Sequence, residues 1–225
     1  MRTIHTELIT LEPQVAAHAE EMFAVLSDPA IYAYENTPPA SVDRLRARFE
    51  KLESRRSGDG SEQWLNWVIR IPTSELIGYV QATVHTDNSA GIAYELSSRH
   101  WGRGLGAHAT LTMIGELVAT YQVTRFFAVA KAANVRSIGM LERLGFAFAA
   151  LELHEIHGVK PDEVLLSRTE PEARARPAMA NIAHATPLSE SEQTVSNRPE
   201  TIRTSGGQGD AAECMSLFGQ RGTNE

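Results

Sequence analysis

The segment "RHWGRGLGAHAT", residues 99–110, places Gly102, Gly104 and Gly106 at alternate positions. It follows an apolar run and opens a helical pattern. Glycine costs backbone entropy and helix propensity in such a place. It also lets the main chain approach a ligand closely, and the N–H groups at a helix start form an anion site. The chemistry this spacing suggests is the grip of a phosphate-bearing ligand by backbone amides. Just upstream, Glu95 is an acid in an otherwise apolar strand pattern, alternating with Tyr94 and Leu96, which face the other layer. A half-buried carboxylate beside a cleft can relay a proton through water. The other reading of Glu95 is an exposed strand face or an ion pair with an arginine.

The elements that must position these residues are legible as periodicities. "IHTELITLEP" alternates like a strand and stops at Pro13. Two helices follow, over "VAAHAEEMFAVLSD" and "SVDRLRARFEKLESRR", the second with Ser41 as N-cap. The stretch "IYAYENTPPA" between them reads as a proline-bearing loop. "WLNWVIRI" and "LIGYVQATV" form an antiparallel hairpin across "PTSE", and "AGIAYELS" is a third strand. The glycine-rich junction then leads into a helix marked by Leu105, Leu111, Ile114, Leu117, Val118 and Tyr121. "VTRFFAVA" is a strand and "NVRSIGMLERLG" a short helix. That helix has Asn134 as N-cap and Gly145 at C′, with Phe146 packing back. "FAFAALELHEI" and "DEVLLSR" read as closing strands. The expected class is α/β (α+β): one domain with a mixed, mostly antiparallel twisted sheet of about seven strands flanked by about four helices.

Alternate glycines after a strand also occur in dinucleotide-binding folds. That fingerprint needs an acid about twenty residues on, at the end of the next parallel strand. "VTRFFAVA" ends without one and is followed by Lys131. A tight strand-to-helix turn is the purely structural alternative.

Taken together, "YELSSRHWGRGLGAHAT" and "NVRSIGMLERLGF" resemble the two signature motifs of the GNAT superfamily of acyl-CoA N-acyltransferases. Trp101 stands where that family usually carries Arg or Gln. A "WGxGxA/G" version resembles the branch that acetylates the N-terminal alanine or serine of ribosomal proteins, as does the loop "YENTPPAS". The resemblance spans residues 1–170. It implies acetyl-CoA as co-substrate, no metal, and transfer of an acetyl group to a primary amine, either a protein N-terminus or a small molecule. The cofactor would be held by Leu96, Gly102, Arg103, Gly104, Leu105, Gly106, Ala107, Asn134 and Ser137. Leu96 N–H would polarise the thioester carbonyl from a splayed strand, and Asn134 would bond the pantetheine arm.

Such a transfer needs a neutral amine, donors for the developing oxyanion and a proton for the departing sulfur. The family's usual proton donor is a tyrosine on the helix carrying Asn134, and the matching residue here is Leu141. Ser137, one turn earlier, resembles the serine used in the ribosomal-protein branch and is the candidate acid. Glu95 is the candidate base, with Glu35 and His85 as alternatives. By the same resemblance, the acceptor pocket is built from the proline loop and the final strands. Tyr34 and Glu35 are its nominated binding residues, with Tyr32, Glu152, His154, Glu155 and His157 on the rim.

Composition narrows the partners. The net charge of −7 argues against nucleic acid and against a membrane surface. No apolar run is long enough to span a bilayer, and "MRTIHTELITLEP" has no secretory h-region. The single cysteine, Cys214, leaves no intrachain disulfide framework. The expectation is a cytoplasmic protein, monomeric or homodimeric. From Pro171 onward large aliphatics stand singly, with four prolines, five glycines and one aromatic, so no period can build a core. Residues 1–170 are therefore read as the domain and 171–225 as a disordered tail, with a short helix near "AAECMSLF". The readings outside the enzyme class are a catalytically silent acyl-CoA-binding module and a protein that interacts through this tail.

Overall fold

In the computed structural model, residues 1–34 and 37–171 are described. The expected tail, Cys214 included, lies outside the described residues, as does Glu35. The strands are β1 (Ile4–His5), β2 (Thr10–Pro13), β3 (Glu62–Arg70), β4 (Leu76–His85), β5 (Ser89–Leu96), β6 (Arg125–Lys131), β7 (Ala147–Phe148) and β8 (Glu163–Thr169). The helices are α1 (Ala19–Leu26), α2 (Val42–Leu52), α3 (Leu105–Tyr121), α4 (Val135–Arg143) and α5 (Glu152–Ile156). One sheet holds all eight strands in the order β1-β2-β3-β4-β5-β6-β8-β7. Every pair is antiparallel except β5 with β6. The class is as expected from the sequence; the described residues hold eight strands and five helices where about seven and about four were expected.

Both differences have local causes. The first expected strand is broken by a Thr6–Ile9 turn, in which Thr6 N–H and Oγ1 both donate to the Ile9 carbonyl. It becomes the β1–β2 hairpin. "FAFAALELHEI" is not one strand. Only Ala147 and Phe148 pair with β8, and the chain then turns into α5.

β3 and β4 are buried at nearly every residue, so both sheet faces are covered. Leu65, Trp67 and Ile69 pack on the α3/α4 side with Ala109, Met113, Leu117 and Leu141. Val68 and Tyr79 pack on the other side with Met22, Leu45 and Phe49 of α1 and α2. The sheet is the shared middle layer, and its two faces present different chemistry.

The parallel β5–β6 pair runs only from Ser89↔Arg125 to Gly91↔Phe127. Beyond it β5 continues for five residues, 92–96, while β6 stays paired to β8 along its whole length. The two strands part, and a wedge opens between them at the middle of the sheet.

Candidate active site

The wedge leads into a cleft of about 470 Å³. β5 contributes Tyr94 and Leu96 to its wall. The junction contributes Trp101, Gly102, Gly104, Leu105, Gly106 and Ala107. α4 contributes Asn134, Arg136, Ser137, Met140 and Arg143, and the turn after α1 contributes Ala30, Ile31 and Tyr34.

The junction is shaped by its glycines. Gly102 and Gly104 have φ of +75° and +76°, a left-handed conformation costly for other residues, and Gly104 is the N-cap of α3. A Cβ on either would meet no protein atom within 4 Å. A Cβ on Gly106 would make ordinary contact with Leu96 and Met140. The first backbone bond of α3 is His108 N–H to the Gly104 carbonyl. Among the described residues, no backbone bond takes the N–H groups of residues 102–107. The amides at the start of α3 are thus left without a partner inside the helix, as at any helix N-terminus, which suits a pyrophosphate. Arg136 and Arg143 add positive charge to the lining, while Leu96, Leu105 and Met140 offer apolar contact for a long arm. These residues fit the phosphates and arm of a CoA thioester. Arg103 is exposed on the loop and does not line the cleft.

Gly104 gives a direct test of this grip. Gly104→Val is expected to weaken CoA binding by an order of magnitude or more, about 1.4 kcal/mol per decade. Gly104→Asn tolerates the left-handed conformation better and separates blocked approach from strain. Calorimetry on folded variants with unchanged affinity would remove the loop from the site.

Trp101 ties the junction to β5, its Nε1–H donating to the Leu96 carbonyl at 2.9 Å. The Arg136 guanidinium lies 4.1 Å from the Trp101 ring centroid, a cation–π contact reaching across from α4. Hydrogen bonds in an antiparallel pair alternate. Ser97 N–H bonds the Ile77 carbonyl, so the N–H of Leu96, one residue earlier, turns away from β4 toward the wedge.

α4 is built as the sequence required. Asn134 Oδ1 caps it by accepting from Ser137 N–H at 3.1 Å. Gly145, at φ +84°, ends it. Gly145 N–H donates to the Glu142 carbonyl and Phe146 N–H to the Leu141 carbonyl, the paired bonds of a Schellman motif. So fixed, the helix turns Ser137 to the cleft and Leu141 into the core, where it is 1% exposed. Ser137 Oγ lies 2.8 Å from Tyr94 Oη. Burial pushes the Tyr94 phenol up to about 12, with the Ser137 bond acting in the opposite direction.

Glu95 is not in the cleft lining. Alternation along β5 turns it to the α1/α2 face. There its charge, after burial, is the next cause holding the Tyr32 and Tyr79 phenols above their usual range, and Arg48 opposes it. Tyr32 belongs to the same Pro29–Tyr32 turn as the cleft residues Ala30 and Ile31, and its hydroxyl donates to the Leu26 carbonyl. Glu95 and the cleft are thus separated by the width of one strand whose far edge is open. Tyr34 lines the cleft. His85 lies at the other end of β4, 3.5 Å from Glu62. His157 stacks on Phe127, also away from the lining.

The sequence reading missed Arg136, Met140 and Arg143 as lining residues. Helical spacing around Ser137 carried that signal. It also missed Ala30, Ile31 and His100, for which no local pattern exists.

A wedge in a mixed sheet, a glycine-shaped junction at a helix start and a capped helix facing it fit a CoA-thioester-binding acyltransferase. Residues 9–147 match the Acetyltransferase (GNAT) domain, and the chain belongs to that family of acetyl-CoA-dependent acetyltransferases. It is 27% identical over 149 residues to an uncharacterized N-acetyltransferase, p20, of Bacillus licheniformis, covering 65% of this chain and 83% of that protein. Its fold is similar to that of RimL, a ribosomal L7/L12 α-N-protein acetyltransferase solved with coenzyme A. The TM-score is 0.63 at 13% identity, over 74% of this chain and 97% of that one. It is likewise similar to the ribosomal-protein-S5-alanine acetyltransferase of Vibrio fischeri, with a TM-score of 0.60 at 18% identity, over 74% and 96%. Among the described residues, no helix is long and apolar enough to cross a membrane.

Proposed function

We propose that this protein transfers the acetyl group of acetyl-CoA to a primary amine by direct attack in a ternary complex, with Ser137 as acid and Glu95 as base. The observation that carries this reading is the hydroxyl of Ser137 standing in the cleft beside the open amide loop. Bound acetyl-CoA supplies an activated acyl carbon and a sulfur leaving group. The amides of residues 102–107 hold its phosphates, and Leu96 N–H faces its carbonyl oxygen.

The two faces of β5 divide the labour. Tyr94 and Leu96 serve the cofactor side with α3 and α4. Glu95 serves the acceptor side, with Tyr32 beside it and Tyr34 on the cleft wall. The amine attacks through the wedge. As the C–N bond forms and the C–S bond breaks, Glu95 collects the amine's proton through water and Ser137 gives its own to the sulfur. Water returns the collected proton to Ser137, so charge and protons balance over a cycle. Holding the two reactants in line contributes a further share of the rate.

The neighbours described as ribosomal-protein acetyltransferases favour a protein N-terminus over a small amine as acceptor. The test is release of free CoA against a panel of N-terminal peptides and small amines. Turnover with peptides beginning in alanine or serine supports the reading. Turnover with small amines alone overturns the protein acceptor. CoA binding without turnover on any amine makes the chain a silent binding module.

A further inference from the structure

The family's phenol is missing from α4, and the leucine in its place is buried in the core. A phenol does reach the cleft, from β5. Tyr94 Oη lies 2.8 Å from Ser137 Oγ and 3.5 Å from the Ser137 carbonyl, and the second distance is too long to compete. We propose that Tyr94 is the positioning residue of the acid: its hydroxyl donates to Ser137 Oγ and thereby turns the serine's own proton into the cleft. This rests on the acetyl-transfer reading and deepens it.

A serine hydroxyl has one proton to give. If Ser137 spent it on Tyr94, none would face the departing sulfur. Both hydroxyls line the cleft, and the direction is set by their acidity. Ser137 Oγ is the protein acceptor within normal hydrogen-bond distance of the phenol, and a phenol is a far stronger acid than an aliphatic hydroxyl, so it is the better donor of the pair. Ser137 lines the cleft and can donate into it. Burial also keeps the phenol protonated through neutral pH, so the donor does not become an acceptor. Tyr94 keeps its proton throughout the transfer, and the proton that reaches sulfur is the serine's.

The partners lie on different elements, 43 residues apart in sequence, and the open wedge leaves β5 unpaired on that side. The bond to Tyr94 therefore also fixes the distance between strand and helix at the place where the acyl group must sit. Ser137 itself is held from below by the Asn134 cap on its N–H. One residue fixes its backbone and another its hydroxyl.

The experiment is a double-substitution cycle on the full chain, with one readout independent of activity. Tyr94→Phe keeps the ring and removes the hydroxyl. It is expected to lower kcat about ten-fold, the size of one hydrogen bond felt in the transition state. KM for acetyl-CoA and calorimetric CoA affinity should not change. In a Ser137→Ala background the same substitution should cost nothing further. Equal losses in both backgrounds, or full activity of Tyr94→Phe, would overturn the proposal. In protein without CoA, carrying tyrosine labelled with carbon-13 at Cζ, Ser137→Ala should shift the one resonance that Tyr94→Phe abolishes. An unmoved resonance means that the hydrogen bond does not exist. If the wild type releases no CoA with any amine of the panel, the transfer reading falls and the catalytic role with it, while the resonance still decides the bond.

Discussion

Replacing Ser137 by alanine is expected to lower kcat by about two to four decades, the usual cost of losing a general acid. KM for acetyl-CoA should hardly move, because a proton given in the transition state is not a ground-state contact. α4 should survive the change. Its cap uses the backbone N–H of Ser137, not the hydroxyl, and alanine is a better helix former. Glu95→Gln completes the test. Below the pKa of its carboxyl a base is protonated and idle, so the wild type should lose kcat/KM as pH falls. Glutamine cannot titrate, so the variant should lack that limb while keeping CoA affinity. A loss at Ser137 with none at Glu95 would mean that the amine arrives neutral and solvent takes its proton. A rise in KM alone at Ser137 would reduce it to a cofactor contact. No effect at either position would leave alignment of the reactants as the mechanism.

The parts of this site that were legible in the sequence are those set by short-range rules. Gly102 and Gly104 stand at left-handed φ at a helix start. Asn134 and Gly145 delimit α4 through contacts no more than four residues away. Period-two alternation in β5 separates Glu95 from Tyr94 and Leu96, and the structure keeps that separation. What it could not give is which face belongs to the cleft. That depends on where α3 and α4 pack, a decision made by Met113, Leu117 and Leu141 far along the chain.

The misread elements fail for the same reason. "FAFAALELHEI" alternates well enough for a strand, but β8 offers it pairing only at Ala147 and Phe148. Leu151 and Ile156 then stand 77% and 75% exposed, so no core rewards an extended conformation. The hydroxyl turn at Thr6 breaks the first strand by a side chain that also favours strands. The parting of β5 from β6 has no local signature. Nor has the approach of Tyr94 to Ser137, which exists only once strand and helix are packed.

The wedge itself rests on one glycine that the sequence reading passed over. Gly78 lies opposite Leu96 in the β4–β5 ladder, beside a register shift where β3 meets β4 at Ile69 and Arg70. A Cβ at Gly78 would run into the Glu95 carbonyl oxygen and stand 2.8 Å from Leu96 Cα. Both are backbone atoms, so no side chain can swing aside. Gly78→Ala is therefore expected to destabilise the protein by about 1–3 kcal/mol, the range of core overpacking. A lowered urea midpoint at an unchanged m-value would report it. The second consequence is functional. Relief of the clash must move the Glu95–Leu96 segment, which carries the candidate base on one face and the wedge-facing amide of Leu96. Catalytic rates fall steeply with small misplacement. The folded fraction of Gly78→Ala should therefore turn over much more slowly than wild type. A variant with the wild-type midpoint would show that the strands accommodate a methyl group, and the close approach would then have no structural role. A destabilised variant with full turnover per folded molecule would uncouple the bulge from the site and leave Gly78 as a packing residue alone.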